Sequence, residues 1–367
     1  MNWREKFAVL NNPTKMKRPE SPPGVLIIHP GALGDVLLAL RAIWSIRDRL
    51  PRHEVILLAR KEIGGLLVEY GVIDRAIDIE GPAFSELLQE SPSRNSERAD
   101  FLSRCTHAVA WVTDAAGRLS ENLQRIGIRH RCIGSPHDRS LQAVHQSDRY
   151  CEILDRGMSG THGKVFSHPG TQKSNGPWLK PSIRSFQTKI FQQKVLMIHP
   201  GSGSQHKCLS PERLSCLIKR LADRDDRKIF VCQGPADVER VSLLRTYLDH
   251  VDYEILKDST LSEIARVLRH VDVFLGHDSG ITHLAAALGV PTVALFGPTD
   301  PQRWGPKGRH VEVVKGPYCQ CKNWQAVQQC LEKPCLTHSV EEIVEIVERR
   351  LCGADMKAER VALVEVH

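Results

Sequence analysis

The sequence predicts an α/β protein built from two similar, doubly wound domains, and three observations predict it. From Val25 onward, apolar runs of strand length alternate with amphipathic runs of helix length, the pattern of βα repeats in a mostly parallel sheet covered by helices. The series then stops and restarts, because about Asp155 to Gln193 is rich in Gly, Ser, Pro and Lys and shows little periodicity. Both series also open on the same corner. "VLIIHPGALGD" (Val25 to Asp35) and "VLMIHPGSGS" (Val195 to Ser204) each end a strand at His-Pro-Gly. Ligands of doubly wound sheets sit beyond the carboxyl ends of the strands, so two facing domains enclose an interdomain cleft.

In the first series "VLIIHP" reads as a strand, "DVLLALRAIWSIRDRL" as a helix and "HEVILLAR" as a second strand. "EIGGLLVEYG" is a short helix, and "IDRAIDIE" and "HAVAWVTD" are strands. The second series begins with strand "KVLMIHPG" and helix "SPERLSCLIKRLADR", with Ser210 as N-cap and Pro211 at the first helical position. Strand "KIFVCQG" follows, then helices "DVERVSLLRTYLD" and "LSEIARVLRHV", strand "VDVFLGHD", helix "GITHLAAALG" and strand "PTVALFGP". "SVEEIVEIVERRLCG" is an amphipathic helix with an apolar stripe at Val340, Ile343, Val344 and Val347. The expected boundaries are a polar arm at 1–24 and a first domain at 25–185, which includes the connection from about 155. The second domain spans 186–338, and a C-terminal helix and tail 339–367.

Bulk properties narrow the function classes. At 367 residues the chain fits two domains, each able to bury its own core. With 41% hydrophobic and 25% charged residues it is not a disordered chain. No apolar stretch reaches the roughly 18–20 residues that span a bilayer. The polar, Pro-rich N-terminus reads as a loose arm and not as a signal peptide. A net charge of +7 permits an anionic partner but selects none, and Arg125, Arg129, His130 and Arg131 read as a solvated face. The 11 cysteines, odd in number and partly inside strands, suggest reduced thiols in a cytosolic protein. Cys319, Cys321, Cys330 and Cys335 form C-x-C-x₈-C-x₄-C. Zinc, an iron–sulfur cluster, structural packing and redox-sensitive thiols all fit that spacing, which lacks paired C-x₂-C knuckles, so no metal is assigned.

Three segments carry chemistry. In "FLGHDSGITHLAAALGVPTVALFGPTDPQRWGP" (Phe274 to Pro306), Asp278, Ser279 and Gly280 open a helix bearing His283. Free backbone N–H groups and the helix dipole make such a start an anion site, while simple capping explains Asp278 or Ser279 as well. The Gly-Pro-Thr turn of "VALFGPTDP" beside it completes a phosphate and sugar pocket. "HPGSGSQHK" supplies a loop at Ser202 and Gly203 that lets backbone approach a diphosphate, followed by the cation Lys207. Neither a Walker A loop nor a G-x-G-x-x-G fingerprint is present. Asp35 begins a helix at a strand's carboxyl end, where complementing the dipole and acting as general base are equal readings. Metal-ligand His spacings and a G-x-S-x-G elbow are lacking, which argues against hydrolases.

"VLIIHPGALGDVLLALRAI", "IHPGSGSQHKCLSPERL" and the segment from Phe274 to Pro306 together resemble glycosyltransferase family 9, the lipopolysaccharide heptosyltransferases and their relatives. The resemblance implies a GT-B architecture of two facing Rossmann-like domains, with the acceptor on the first and the nucleotide-sugar on the second. A C-terminal helix commonly packs back across the junction. It also implies inverting, metal-independent transfer of heptose from ADP-heptose to a lipid A–core or other glycan acceptor. The nucleotide-sugar is then a substrate, no cofactor is needed, and nucleic acid is not a partner. The implied location is cytoplasmic, with peripheral contact at the cytoplasmic face of the inner membrane.

By motif, Asp35 matches the proposed catalytic base, Lys207 the basic residue near the donor phosphates, and Ser202 and Gly203 the phosphate loop. Asp278, Ser279, Gly280 and His283 match the D-[ST]-G-x-x-H segment around diphosphate and sugar. Glu239 or Asp237 corresponds to an acidic residue that meets the ribose. The chain reads "HKCLSPER" where relatives often have "KR[WF]P", which leaves the exact lysine open. An epimerase-like GT-B enzyme and a non-catalytic nucleotide-sugar or glycan-binding protein are the alternatives.

Overall fold

A computed structural model describes residues 22–89, 100–137, 144–158, 178–179 and 193–353. Nearly all of the expected arm, most of the expected interdomain connection and the tail beyond Gly353 lie outside the described residues.

The first domain runs β1 (Gly24–Ile28), α1 (Leu33–Leu38), α2 (Leu40–Arg49), β2 (Glu54–Ala59), α3 (Lys61–Glu69), β3 (Arg75–Asp78) and α4 (Pro82–Leu88). It continues with α5 (Asp100–Ser103), β4 (Cys105–Ala110), α6 (Arg118–Arg125), β5 (His130–Ile133) and α7 (Gln146–Met158). The second opens with β6 (Lys194–His199), α8 (Pro211–Ala222), β7 (Arg227–Cys232), α9 (Val238–Arg245), β8 (Glu254–Leu256) and α10 (Leu261–Leu268). Then come β9 (Val273–His277), α11 (Gly280–Ala287), β10 (Thr292–Phe296), α12 (Pro301–Trp304), β11 (Val311–Lys315), α13 (Trp324–Gln329) and α14 (Val340–Cys352).

Both sheets are parallel throughout, in the orders β3-β2-β1-β4-β5 and β11-β10-β9-β6-β7-β8. Every residue of β1, β9 and β10 is buried, as expected for Val/Ile/Leu-rich strands covered on both faces. The winding direction reverses between β1 and β4 in one sheet and between β6 and β9 in the other. Those two switch points are where ligands bind in this architecture. His29 follows β1 and Trp111 follows β4, while His199 ends β6 and Asp278 follows β9. The repeated His-Pro-Gly corner therefore places one histidine at each switch point.

The domains share apolar packing. One buried cluster contains Val25 and Val36 of the first domain together with Met197, Phe274 and Leu284 of the second. Helix α1 packs on α11, and α3 on α10. His145 Nε2 reaches the Gly305 carbonyl at 3.0 Å, and the Leu179 N–H donates to Ala287 O at 3.0 Å.

Several details differ from the sequence expectation. The helix expected from Asp35 to Leu50 is broken at Ala39 into α1 and α2, with no Gly or Pro to mark the break. Short strands β5, β8 and β11 carry charged or half-exposed positions and gave no clear apolar run. Helix α7 continues through Asp155 to Met158. Helix α14 does not follow the expected course across the junction over its described length. Its buried residues Ile343, Ile346, Val347 and Leu351 join the second domain's core and pack on α8 and β9. Arg131 is tied locally to Ile128 O and Gln124 Oε1. Among the described residues, no helix is long and apolar enough to cross a membrane.

Candidate active site at the domain junction

At the first corner the chain leaves β1 and turns at once into α1. The Gly31 N–H donates to His29 Nδ1 at 3.1 Å, which fixes the histidine ring against the turn. A Cβ on Gly31 would stand 2.7 Å from both Asp35 Cβ and His29 Cε1, so only glycine fits there. Asp35 lies in the first turn of α1, where its Oδ2 accepts the Ala32 N–H at 3.1 Å. Burial pushes the Asp35 carboxyl above its ordinary 3.8. The Ala32 N–H and the charges of His137 and Lys207 oppose that shift, and Asp278 adds to it.

The second corner is more heavily bonded. His199 Nδ1 lies 3.1 Å from Ser279 Oγ and Nε2 lies 3.1 Å from Asp237 Oδ2. Asp237 also accepts the Gly234 N–H at 2.9 Å. Burial alone would raise Asp237, but the His199 contact and the Gly234 N–H hold its carboxyl below the ordinary value. A Cβ on Gly201 would fall 1.6 Å from Asp237 Oδ1, so the loop can pass this close only as glycine.

Asp278 is the meeting point. Lys207, at the end of the 3₁₀ turn Gln205–Lys207, brings Nζ to 3.0 Å of Asp278 Oδ2. The Thr299 hydroxyl donates to the same oxygen at 2.9 Å, and Ser202 Oγ donates to the Asp278 carbonyl at 2.5 Å. His283 Nε2 stands 4.0 Å from Asp278 Oδ1, outside hydrogen-bond range. Burial lowers the His283 imidazole to about 4 against the pull of Asp278, so it is uncharged at neutral pH. Ser279 caps α11 by accepting the Thr282 N–H at 3.3 Å.

The two corners touch. A Cβ on Gly280 would meet Leu33 Cβ at 2.9 Å, and one on Gly34 would meet His283 Cδ2 at 3.2 Å. The N-termini of α1 and α11 thus abut, which brings Asp35 into the field of Lys207 and Asp278.

The junction collects Asp35, Ser202, Lys207, Asp278, Ser279, Gly280 and His283. Gly203 is exposed with open space around its Cα, where a ligand can approach the backbone. Glu239 lies apart from that bonding, exposed in the first turn of α9, whereas Asp237 is buried against His199. Sequence reasoning missed His199 and the Thr299 hydroxyl, although the corner motif and the Gly-Pro-Thr turn that carry them were visible.

It also missed a cavity of about 270 Å³ beside Asp35, lined by His29, Asp35, Trp111, Thr113, His137 and Tyr150. The rings of His29, Trp111 and Tyr150 pack with centroids 5.2–5.5 Å apart. Burial lowers His29 to about 4.

All 11 cysteines are free. Cys319 and Cys330 neighbour Cys321, whose thiol they push up to about 11, and Cys319 also neighbours buried Cys335. Among the described residues, no group of three or more His, Cys, Asp or Glu side chains is arranged to hold a metal ion.

Comparison with known proteins identifies the family. Residues 136–336 match the model of glycosyltransferase family 9 (heptosyltransferase). The chain is 38% identical to lipopolysaccharide heptosyltransferase 1 of Salmonella typhimurium over 295 residues, covering 78% of this chain and 92% of that protein. With lipopolysaccharide heptosyltransferase 1 of Escherichia coli K12 it shares 35% over 312 residues, covering 80% and 93%. The solved structure of E. coli ADP-heptose lps heptosyltransferase II superposes with a TM-score of 0.65 at 16% identity, over 90% of this chain and 99% of that one. That likeness shows the same two-domain GT-B fold.

Proposed function

The chain belongs to glycosyltransferase family 9, and on that premise we propose that it transfers heptose from ADP-heptose to a lipopolysaccharide-core acceptor, with inversion at the anomeric carbon. The observation that carries the reading is the abutment of α1 and α11, which brings a half-buried carboxylate from one domain to the phosphate-type corner of the other.

Asp35 takes the proton from the acceptor hydroxyl, and that oxygen attacks the anomeric carbon from the face opposite the diphosphate. A carboxyl pushed up by burial is a better base than an exposed one, because it binds the incoming proton more tightly. The leaving ADP carries its developing charge into a site of backbone N–H groups around Ser202 and Gly203 and the first turn of α11. Lys207 supplies the positive charge there. Asp278 lies too close to that position to welcome a phosphate itself. Its role is to hold Lys207 and Thr299 in place and to accept sugar hydroxyls. Glu239, exposed in the first turn of α9, would meet the ribose, while Asp237 holds His199. Inversion needs one carboxylate and no covalent sugar intermediate. A lipid-linked acceptor would bring the protein to the cytoplasmic face of the inner membrane by peripheral contact.

Calorimetric titration of ADP, UDP, GDP and CDP into the full chain tests the donor half of this reading. Selective binding of ADP is expected. Preference for another nucleotide would sink the heptose donor while keeping the transferase, and no binding to any of them would favour a protein that does not use a nucleotide-sugar.

A further inference from the structure

The segment between β11 and α14 displays apolar side chains to solvent from a fixed frame. Leu331 is 97% exposed and Tyr318 80%, the two most exposed large apolar side chains among the described residues, and Trp324 between them in sequence is exposed as well. Single exposed apolar residues are common, but three on one short segment make a patch. The frame is anchored from within. Val327, Cys335 and Leu336 are buried, and the His338 ring meets the Phe296 and Val314 carbonyls at 3.1 and 3.2 Å. Cys319 and Cys330, the sequence neighbours of Tyr318 and Leu331, both lie against Cys321, which brings the two ends of the segment together.

The segment stands beside the donor corner. It leaves the carboxyl end of β11, where the Gly316 N–H donates to the Phe296 carbonyl at the end of β10 at 2.8 Å. It returns through Leu336, which fills the space a Cβ on Gly297 would need, so it rests on the Gly-Pro-Thr turn that carries Thr299. Charge selects what the patch meets. From Val313 to His338 the charged residues are Lys315, Lys322, Lys333 and Glu332. Among the described residues none of the three lysines forms an ion pair, and Glu312, the acid that precedes them, is taken by Arg349 and Arg350. Protein–protein interfaces are depleted in lysine. An apolar and aromatic tip among lysines is instead the composition of a bilayer contact, with rings at the headgroup level and ammonium groups on the lipid phosphates.

We propose that Tyr318, Trp324 and Leu331, with Lys315, Lys322 and Lys333 around them, form the surface by which this protein docks on an anionic lipid bilayer. Leu331 and Tyr318 enter the boundary between headgroups and acyl chains, and the lysine heads stay at the phosphates. Because the segment rests on a donor-side turn, docking holds the donor corner close to the lipid surface, where a lipid-linked acceptor is anchored. The proposal rests on that reading of the acceptor and names the part of the chain that makes the peripheral contact.

The test is co-sedimentation of the full chain with phosphatidylglycerol–phosphatidylcholine vesicles and with vesicles of phosphatidylcholine alone. The wild type should bind the mixed vesicles more tightly than the neutral ones, and salt should weaken that preference. The double variant Tyr318→Ser, Leu331→Ser should lose roughly tenfold or more on both kinds of vesicle. The triple variant Lys315→Gln, Lys322→Gln, Lys333→Gln should lose roughly fivefold per lysine on the mixed vesicles and little on the neutral ones. These side chains lie at the surface, so melting temperature and turnover of a deacylated acceptor should stay level in both variants. No binding of the wild type to either vesicle, or binding that both variants retain in full, overturns the proposal.

If the wild-type chain transfers no heptose, the function reading fails, while vesicle binding needs neither donor nor acceptor and still decides the surface. Light scattering covers the other occupant. A wild-type dimer that Tyr318→Ser, Leu331→Ser turns into a monomer, with vesicle binding unchanged, assigns the patch to a second copy of the chain and overturns the proposal.

Discussion

Lys207 and Thr299 both donate to one oxygen of Asp278, at 3.0 and 2.9 Å, so this carboxylate organises the donor corner from within. Asp278 and Lys207 are each mostly buried, and the pair is therefore more than a surface contact. Lys207→Met leaves the carboxylate buried with one donor fewer. We expect a loss of about 2–4 kcal/mol in stability, together with weaker ADP binding. Adding Asp278→Asn should recover part of the stability and none of the ADP affinity. Denaturant melts and calorimetry on both single variants and the double variant measure this, and equal recovery of both properties would contradict the account.

The glycines at the junction make a separate prediction. Gly280→Ala places a Cβ 2.9 Å from Leu33 Cβ and 3.3 Å from the Gly34 backbone nitrogen, so the two helix starts must part. Transfer should fall roughly tenfold or more, the usual sensitivity to small misplacement of reacting groups. ADP affinity should fall as well, because Gly280 lies in the first turn of α11, but by less than turnover, which also depends on the distance to Asp35. Steady-state kinetics beside calorimetry separate the two effects.

Acid should weaken the protein well above the ordinary carboxylate range. His29 and His283 are lowered to about 4 by burial, and His277 falls well below its ordinary 6.5 for the same reason. A histidine depressed in the fold binds its proton more readily in the unfolded chain. Its contribution to stability is whole above pH 6.5 and disappears as pH falls toward about 4. For His29 and His283 the shift corresponds to about 3 kcal/mol each. Asp35 runs the other way, since its raised carboxyl favours the fold at low pH, but one carboxyl does not offset several histidines. Melting temperatures should drop steadily below pH 6.5, and His29→Leu should flatten part of that slope.

The corners were legible in the sequence because their geometry is local. A strand that ends at His-Pro-Gly must turn, Asp35 four residues after Gly31 lies in the first turn of a helix, and Ser279 two residues after β9 caps another. The β1/β4 and β6/β9 switch points were not legible, because they depend on which strands become neighbours. For that reason His29 and Trp111, 82 positions apart in number, could not be placed in one cavity. Asp237 and Glu239 show the same limit. The family resemblance offered both as partners for a ribose, and only the fold separates the buried partner of His199 from the exposed residue on α9. The break at Ala39 leaves no mark in the local sequence.

The central claim is that Asp35 serves the chemistry while the second domain alone holds the donor. The most direct measurement compares turnover, ADP affinity and melting temperature of Asp35→Asn with those of the wild type. The account predicts turnover lower by roughly 10²–10⁴, ADP affinity unchanged and a melting temperature at neutral pH equal or higher, because a partly desolvated charge is removed. Turnover within a few-fold of wild type, or ADP binding lost together with turnover, would contradict it.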